Sequence, residues 1–340
     1  MKSALSAVLK PKILVPAVFA IVLLGVVLSL GDIKKVGDDI VNFPRGDAAL
    51  FFLLMVLYEI VRGIQWLYFL DRMKVKVGRR RGIFAFVGGE ATKSLPGGNY
   101  FQNYLLEREK GVAVAYTASG TTITVLLEVV VCVVYLSIVG ISGWAWLRPV
   151  LIIGTLALVL LVVVIVRLNF HAQPPSWLGR RKFFQWATEQ GKTFAQGART
   201  FVTPKSLGIG VALSAIYLAA AGTEYFLIIR GIAQLHPNDH IQITYWNAMS
   251  AYLFSLGVGL ILPVPTDIGV QEITGVGALV ALGMMRTDAV SVSILFRILN
   301  LVSSLLIAAV TFVILRRELG DALSSNQGSG KVPDEAATGG

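Results

Sequence analysis

Residues 83–111 read IFAFVGGEATKSLPGGNYFQNYLLEREKG. The stretch is apolar enough to enter a membrane, but Pro96, Gly97 and Gly98 interrupt it near its centre. Proline removes a helix donor and clashes with the preceding turn, so the segment divides into two arms, each too short to span. Arg79, Arg80 and Arg81 precede it, and Glu107, Arg108, Glu109 and Lys110 follow it. Both ends therefore belong on one side of the membrane, and residues 83–106 read as a re-entrant hairpin. Such backbone persists at depth only where protein buries it or where it lines a wet cavity.

The chain around this hairpin is built for lipid. Of its 340 residues 55% are hydrophobic and 15% charged, with a mean hydropathy of +0.71. Two uncharged blocks, 13–30 and 149–166, are each long enough as helices to cross a hydrocarbon core of about 30 Å. The alternation of an outer-membrane barrel is absent. The first block is too long for a signal-peptide core and lacks a small-residue cleavage site, so it reads as a retained anchor.

The net charge is +10, and the basic residues gather at the ends of apolar blocks. That is the pattern of topology signals and anionic-lipid contact, and it argues against nucleic acid as a partner. Lys2, Lys10 and Lys12, the run from Arg72 to Arg81, the segment from Arg180 to Lys205 and Arg316-Arg317 all mark the cytoplasmic side. The expected protein is prokaryotic, in the cytoplasmic (inner) membrane, multi-pass, with both termini cytoplasmic.

The expected fold is an all-α polytopic membrane protein of about 6–8 transmembrane helices with two broken or re-entrant hairpins, in a layout that allows an internal inverted repeat. Further spans are expected near 48–70, 112–139, 206–229 and 291–315, with a mixed outer loop between the first two spans. The second break, LPVPTDIG, falls within 241–285, where Pro263, Pro265 and Gly269 form the turn. Residues 176–203 carry apolar side chains at spacings of three and four. They form an amphipathic helix that either lies on the inner leaflet or packs on the bundle. Residues 1–320 make one transmembrane domain, and 321–340 read as a disordered cytoplasmic tail.

Charges inside apolar spans are costly, by roughly 2.5 kcal/mol or more each, and so point to function. Arg62, Lys93, Asn99 and Arg297 are the candidate lipid-headgroup ligands. Glu59, Glu90, Glu128, Glu224, Asp267 and Glu272 are the candidate polar or proton-coupling groups. Structural pairing is the competing reading, above all for Glu59 and Arg62, which share a helix face. A helix restarted after a break offers free N–H groups that favour an anion, as in the discontinuous helices of transporters.

Enzyme signatures are weak. The three histidines lack metal-ligand spacing, and the single cysteine, Cys132, excludes an internal disulfide and a thiolate zinc site. EQGKT ends like a phosphate-binding loop, but Trp186 stands where its first glycine is required. No metal or cofactor is expected, and no catalytic residue is assigned.

Taken together, LPGGNYFQNYLLEREKG, the mid-span Glu128 and the late PVPTDIGVQE resemble the lysylphosphatidylglycerol synthase transmembrane-domain family, flippase-like integral membrane proteins of bacteria and archaea. Pro96, Gly97, Gly98 and Asn99 before NYLL match that family's first turn, although the Gly-Glu usual after the turn is missing. Pro265, Gly269 and Glu272 match its late motif, while Thr266 and Asp267 replace two of its glycines. The resemblance implies a translocase for a lipid with an anionic headgroup, its partners being anionic or lipid-linked membrane lipids. A membrane-embedded lipid-modifying transferase and a non-transporting scaffold of a lipid-linked glycan or envelope pathway are the alternatives. Oligomeric state is open, a dimer included.

Overall fold

A computed structural model describes residues 32–92, 100–110, 113–140, 182–239, 241–261 and 269–327, with isolated positions 25, 29, 149, 152–154, 156 and 160. Lys93, Pro96, Gly97, Gly98, Asn99, Pro263, Pro265 and Asp267 lie outside the described residues, as does most of the span expected at 149–166. Every regular element among the described residues is helical.

Helix α1 (Ile33–Asn42) occupies what the sequence reads as an outer loop. Its start is fixed by Asp32, whose carboxylate accepts from the backbone N–H of Lys34 and Lys35, the N-cap arrangement. Its inward face carries Val36 and Asp39. Charged residues hid this helix from a reading based on apolar blocks, although their spacing suits an amphipathic surface helix.

Helix α2 (Arg45–Arg72) is buried along Phe51, Met55, Trp66 and Phe69. Leu50, Leu53, Leu57, Ile60 and Ile64, spaced by three and four, form an exposed stripe on its opposite side, as expected of a face turned to lipid. The helix stops at a reverse turn in which Val75 N–H bonds the Leu70 carbonyl and Lys74 N–H bonds that of Asp71. Lys74 supplies the left-handed residue, with φ of 60°.

The first hairpin follows as α3 (Arg79–Thr92) and α4 (Phe101–Lys110), packed against each other. Helix α5 (Val114–Ile138) then crosses, and α6 (Lys182–Phe201) packs on its first half. Ala195 and Ala198 of α6 are buried, and the Tyr116 and Thr200 hydroxyls meet at 3.3 Å. This part of the amphipathic segment therefore packs on the bundle. Helix α7 (Pro204–Leu235) starts at the capping hydroxyl of Thr203 and packs along α2.

The second hairpin is α8 (Tyr245–Ile261) and α9 (Val270–Ala281), and α10 (Arg286–Gln327) closes the chain. Helix α10 continues past residue 321, and 328–340 lie outside the described residues. Helices α5, α7 and residues Arg286–Ile314 of α10 are long and apolar enough to cross a membrane, and α9 is shorter and apolar.

The two hairpins open to opposite ends. The first opens beside the basic turn after α2, where Tyr116 donates to the Met73 carbonyl. The second opens at the α1 end, where Tyr135 near the close of α5 donates to the Trp246 carbonyl. Two apolar cores result. One surrounds Phe51, Tyr225, Tyr252 and Phe296, and the other surrounds Trp66, Phe69, Phe86 and Leu106.

At the α1 end a polar clasp ties α1 to the bundle. Lys35 lies 3.0 Å from Asp239 and 2.8 Å from Asp288, at the start of α10. Asp39 receives Ser291 and His236, both at 2.5 Å. Burial works against the Lys35 ammonium, but its bonds to Asp288 and Asp239 outweigh that and raise its pKa above 10.5. The bond from Lys35 lowers the Asp239 pKa below 3.8. The Lys35 contribution is therefore complete below 10.5 and is lost as pH rises through its raised value. The Asp239 contribution is complete above 3.8 and is lost as pH falls through its lowered value. Thermal unfolding followed against pH is expected to show a plateau between these limits, with the alkaline fall weakened in Lys35→Met. An alkaline limb identical in that variant would dissociate Lys35 from stability.

Candidate functional site

At the junction of the two cores, α2 presents Arg62, α3 presents Glu90 and α5 presents Glu128. One Arg62 nitrogen, Nη1, donates to both oxygens of Glu90, at 2.7 and 2.8 Å. Its Nε lies 3.2 Å from Glu128 Oε1. The Tyr58 ring faces the guanidinium, 5.7 Å from its centroid, within cation–π range. Glu90 and Glu128 are 6% and 3% exposed. At that burial an unpaired carboxylate would be prohibitive, and the shared arginine is what allows both to exist.

A hydrogen-bonded row continues from Glu128 into α7. Tyr217 donates to Glu128 Oε1 at 2.8 Å, and the Ser214 and Tyr217 hydroxyls lie 3.2 Å apart. Gln65 Nε2 donates to Ser214 Oγ at 2.9 Å and to the Gly210 carbonyl at 2.8 Å. Gln65, Ser214 and Tyr217 are fully buried.

On the other side of Arg62 lies a cleft of about 20 Å³, lined by Arg62, Glu90, Trp66, Gln102, Thr121 and Thr124 among others. That is room for about one water. Helix α4 turns its amides inward and its rings outward: Gln102 and Asn103 are buried, whereas Phe101 and Tyr104 are exposed. Gln102 and Asn103 donate to Thr121 Oγ1 at 3.3 and 3.0 Å. Gly89 makes this approach possible, since a Cβ there would lie 2.3 Å from Gln102 Oε1. Thr117, Thr121, Thr124 and Glu128, spaced four, three and four, make one buried polar face of α5.

The second break has its own cluster. Gly269 adopts φ of 92°, a conformation that favours glycine. Its N–H donates to one oxygen of Glu272, and Arg297 Nε of α10 donates to the other. Arg297 Nη2 is buried and has no hydrogen-bond partner among the described residues. Glu59 and Glu224 are buried on α2 and α7. Arg230 of α7 pairs with Asp47 at the start of α2.

Of the sequence-predicted residues, the structure joins Arg62 with Glu90 and Glu128, and Gly269 with Glu272 and Arg297. It keeps these as two separate clusters. Both are ion pairs between helices, where the sequence left pairing and cavity open. Sequence reasoning missed Gln65, Ser214, Tyr217, Thr121 and Thr124. The threonine spacing on α5 was a signal available to it, whereas nothing local links Gln65 to Ser214. Among the described residues no group of His, Cys, Asp or Glu is arranged to hold a metal ion.

Chemically, the arrangement offers buried positive charge held by carboxylates from neighbouring helices within a membrane-spanning bundle. A family model described as the lysylphosphatidylglycerol synthase TM region matches residues 13–308. No curated protein matches the chain.

Proposed function

From the chain's membership of the lysylphosphatidylglycerol synthase transmembrane-region family, which makes it a multi-pass membrane protein with a lipid-related role, we propose that it moves a lipid with an anionic, phosphate-bearing headgroup between leaflets. The observation that carries this reading is Arg297. Its guanidinium uses Nε on Glu272 and keeps Nη2 buried without a partner among the described residues. A buried cationic donor with unused capacity is costly, and a phosphate oxygen would satisfy it. The neighbouring start of α9 adds a helix N-terminus of favourable sign.

The test is transbilayer movement of a fluorescent phosphatidylglycerol in proteoliposomes of the pure protein. Arg297→Ala is expected to slow it at least about tenfold, the worth of one charge-assisted hydrogen bond of roughly 1.5–3 kcal/mol. Wild-type rates in that variant, with the protein folded, would remove Arg297 from the site. Absence of movement with the wild-type protein would leave the scaffold reading. A change in lipid mass in the same vesicles would favour the transferase.

A further inference from the structure

The two ends of the bundle use charge differently. At the α1 end Lys35 is held by Asp239 and Asp288, and Arg230 by Asp47. At the end where α2 turns into α3, Arg72, Lys74, Lys76 and Arg79 are all exposed. The chain fixes them there. Met73 and Val75 are buried, so Lys74 and Lys76 stand on the outer side of the turn. Lys74 takes φ of 60°, a conformation that glycine or asparagine adopts more readily. Arg72 lies over the Tyr68 ring, 5.2 Å from its centroid, within cation–π range.

Two segments distant in the chain extend this surface. Tyr116, which donates to the Met73 carbonyl, also meets Thr200 of α6, and the exposed Arg199 precedes that threonine. The Tyr68 hydroxyl meets Ser206 Oγ at 3.4 Å, and the exposed Lys205 precedes that serine. Asp71 and Glu107 are exposed acids at the same end, so a net positive charge remains. Apolar surface adjoins it. Ile64 is exposed on α2 roughly two turns before Arg72, and Ile83 is exposed just after the arginines that open α3. Charge above apolar surface suits a phospholipid, head and chain together, whereas a nucleic acid or an acidic protein would use the charge alone.

We infer that this end of the bundle is a docking surface for anionic phospholipid, with phosphates among Arg72, Lys74, Lys76, Arg79, Arg199 and Lys205 and acyl chains along Ile64 and Ile83. The turn after α2 forms its centre, and α6 and the start of α7 complete it. The surface is separate from Arg297, and lipid held at it need not cross the membrane.

The experiment compares spin-labelled phosphatidylglycerol with spin-labelled phosphatidylcholine in phosphatidylcholine vesicles carrying the full chain. The motionally restricted fraction of each probe gives its relative affinity for the protein surface. Phosphatidylglycerol is expected to be preferred, and the preference to shrink in 1 M salt, where the screening length falls to about 3 Å. Lys74→Asn with Lys76→Gln is expected to lower it by up to roughly fivefold per lysine, the worth of one basic residue at an anionic surface. Asparagine suits the left-handed position, so the turn is kept. Lys34→Gln with Arg286→Gln, at the α1 end, is expected to leave the preference intact.

No preference in the wild type, or a wild-type preference in the lysine variant, overturns the inference. An equal loss in the α1-end variant does the same. If the lysine variant does not assemble, Arg79→Gln with Lys205→Gln lies outside the turn and is expected to show a similar loss, and an unchanged preference there overturns the inference. Polyglutamate, an oligonucleotide or glycerol phosphate that displaces the probe as well as unlabelled phosphatidylglycerol would assign the surface to a soluble anion and overturn it too. Lipid preference without transbilayer movement would remove only the translocase reading, and movement without preference would remove only this inference.

Discussion

Arg62→Ala is expected to destabilise the protein by about 3–5 kcal/mol, the cost of leaving buried charge uncompensated. The residue holds Glu90 through two bonds and Glu128 through Nε. Alanine strands two carboxylates that are nearly inaccessible to water. Thermal unfolding in detergent, with retention of secondary structure as the readout, measures the loss. The double variant Glu90→Gln with Glu128→Gln, placed on Arg62→Ala, is expected to recover most of it, because neutral amides need no counter-ion. Arg62→Lys should recover little, since one ammonium cannot reproduce the fork that reaches two helices at once. A loss below about 0.5 kcal/mol, as for an ordinary surface substitution, would show that the pairs are not stabilising.

Glu272→Ala is the second large effect, expected at about 3–5 kcal/mol because it leaves a guanidinium short of its counter-ion. One carboxylate here performs two tasks: it accepts the N–H of Gly269 and the Nε of Arg297. Glutamine in its place keeps an acceptor and gives up the charge. Glu272→Gln should therefore fall between wild type and Glu272→Ala in thermal unfolding. Equal losses in the two variants would show that the charge on Arg297 needs no balance. Because Arg297 is the proposed headgroup ligand, Glu272→Gln also offers a separation: stability falls while affinity for an anion rises.

How much of this was legible in sequence depends on the distance between partners. Helices α5, α7 and α10 announced themselves as apolar runs, and the breaks at Pro96 and near Gly269 announced the two hairpins. Charge in those runs pointed to Glu128, Arg62 and Arg297. The pairing was not legible, because Arg62 finds Glu90 and Glu128 on two later helices and Arg297 finds Glu272 across a hairpin. Glu59, three residues from Arg62, was the local candidate, yet the arginine reaches across helices to Glu90 and Glu128. Helix α1 escaped notice because an amphipathic helix of ten residues carries too much charge to register as apolar.

The order in which these partners are made has its own consequence. Synthesis delivers Arg62 before Glu90, and Glu90 before Glu128. Chains grow at about 5–20 residues per second, so Arg62 waits about 1–6 s for Glu90. Until then α2 carries a cation whose bonded partner has not been made, which a lipid bilayer accepts only at a cost. Glu128 comes later, to a guanidinium that Glu90 already neutralises, so it is the second carboxylate, and α5 with it, that depends on the pair made before it.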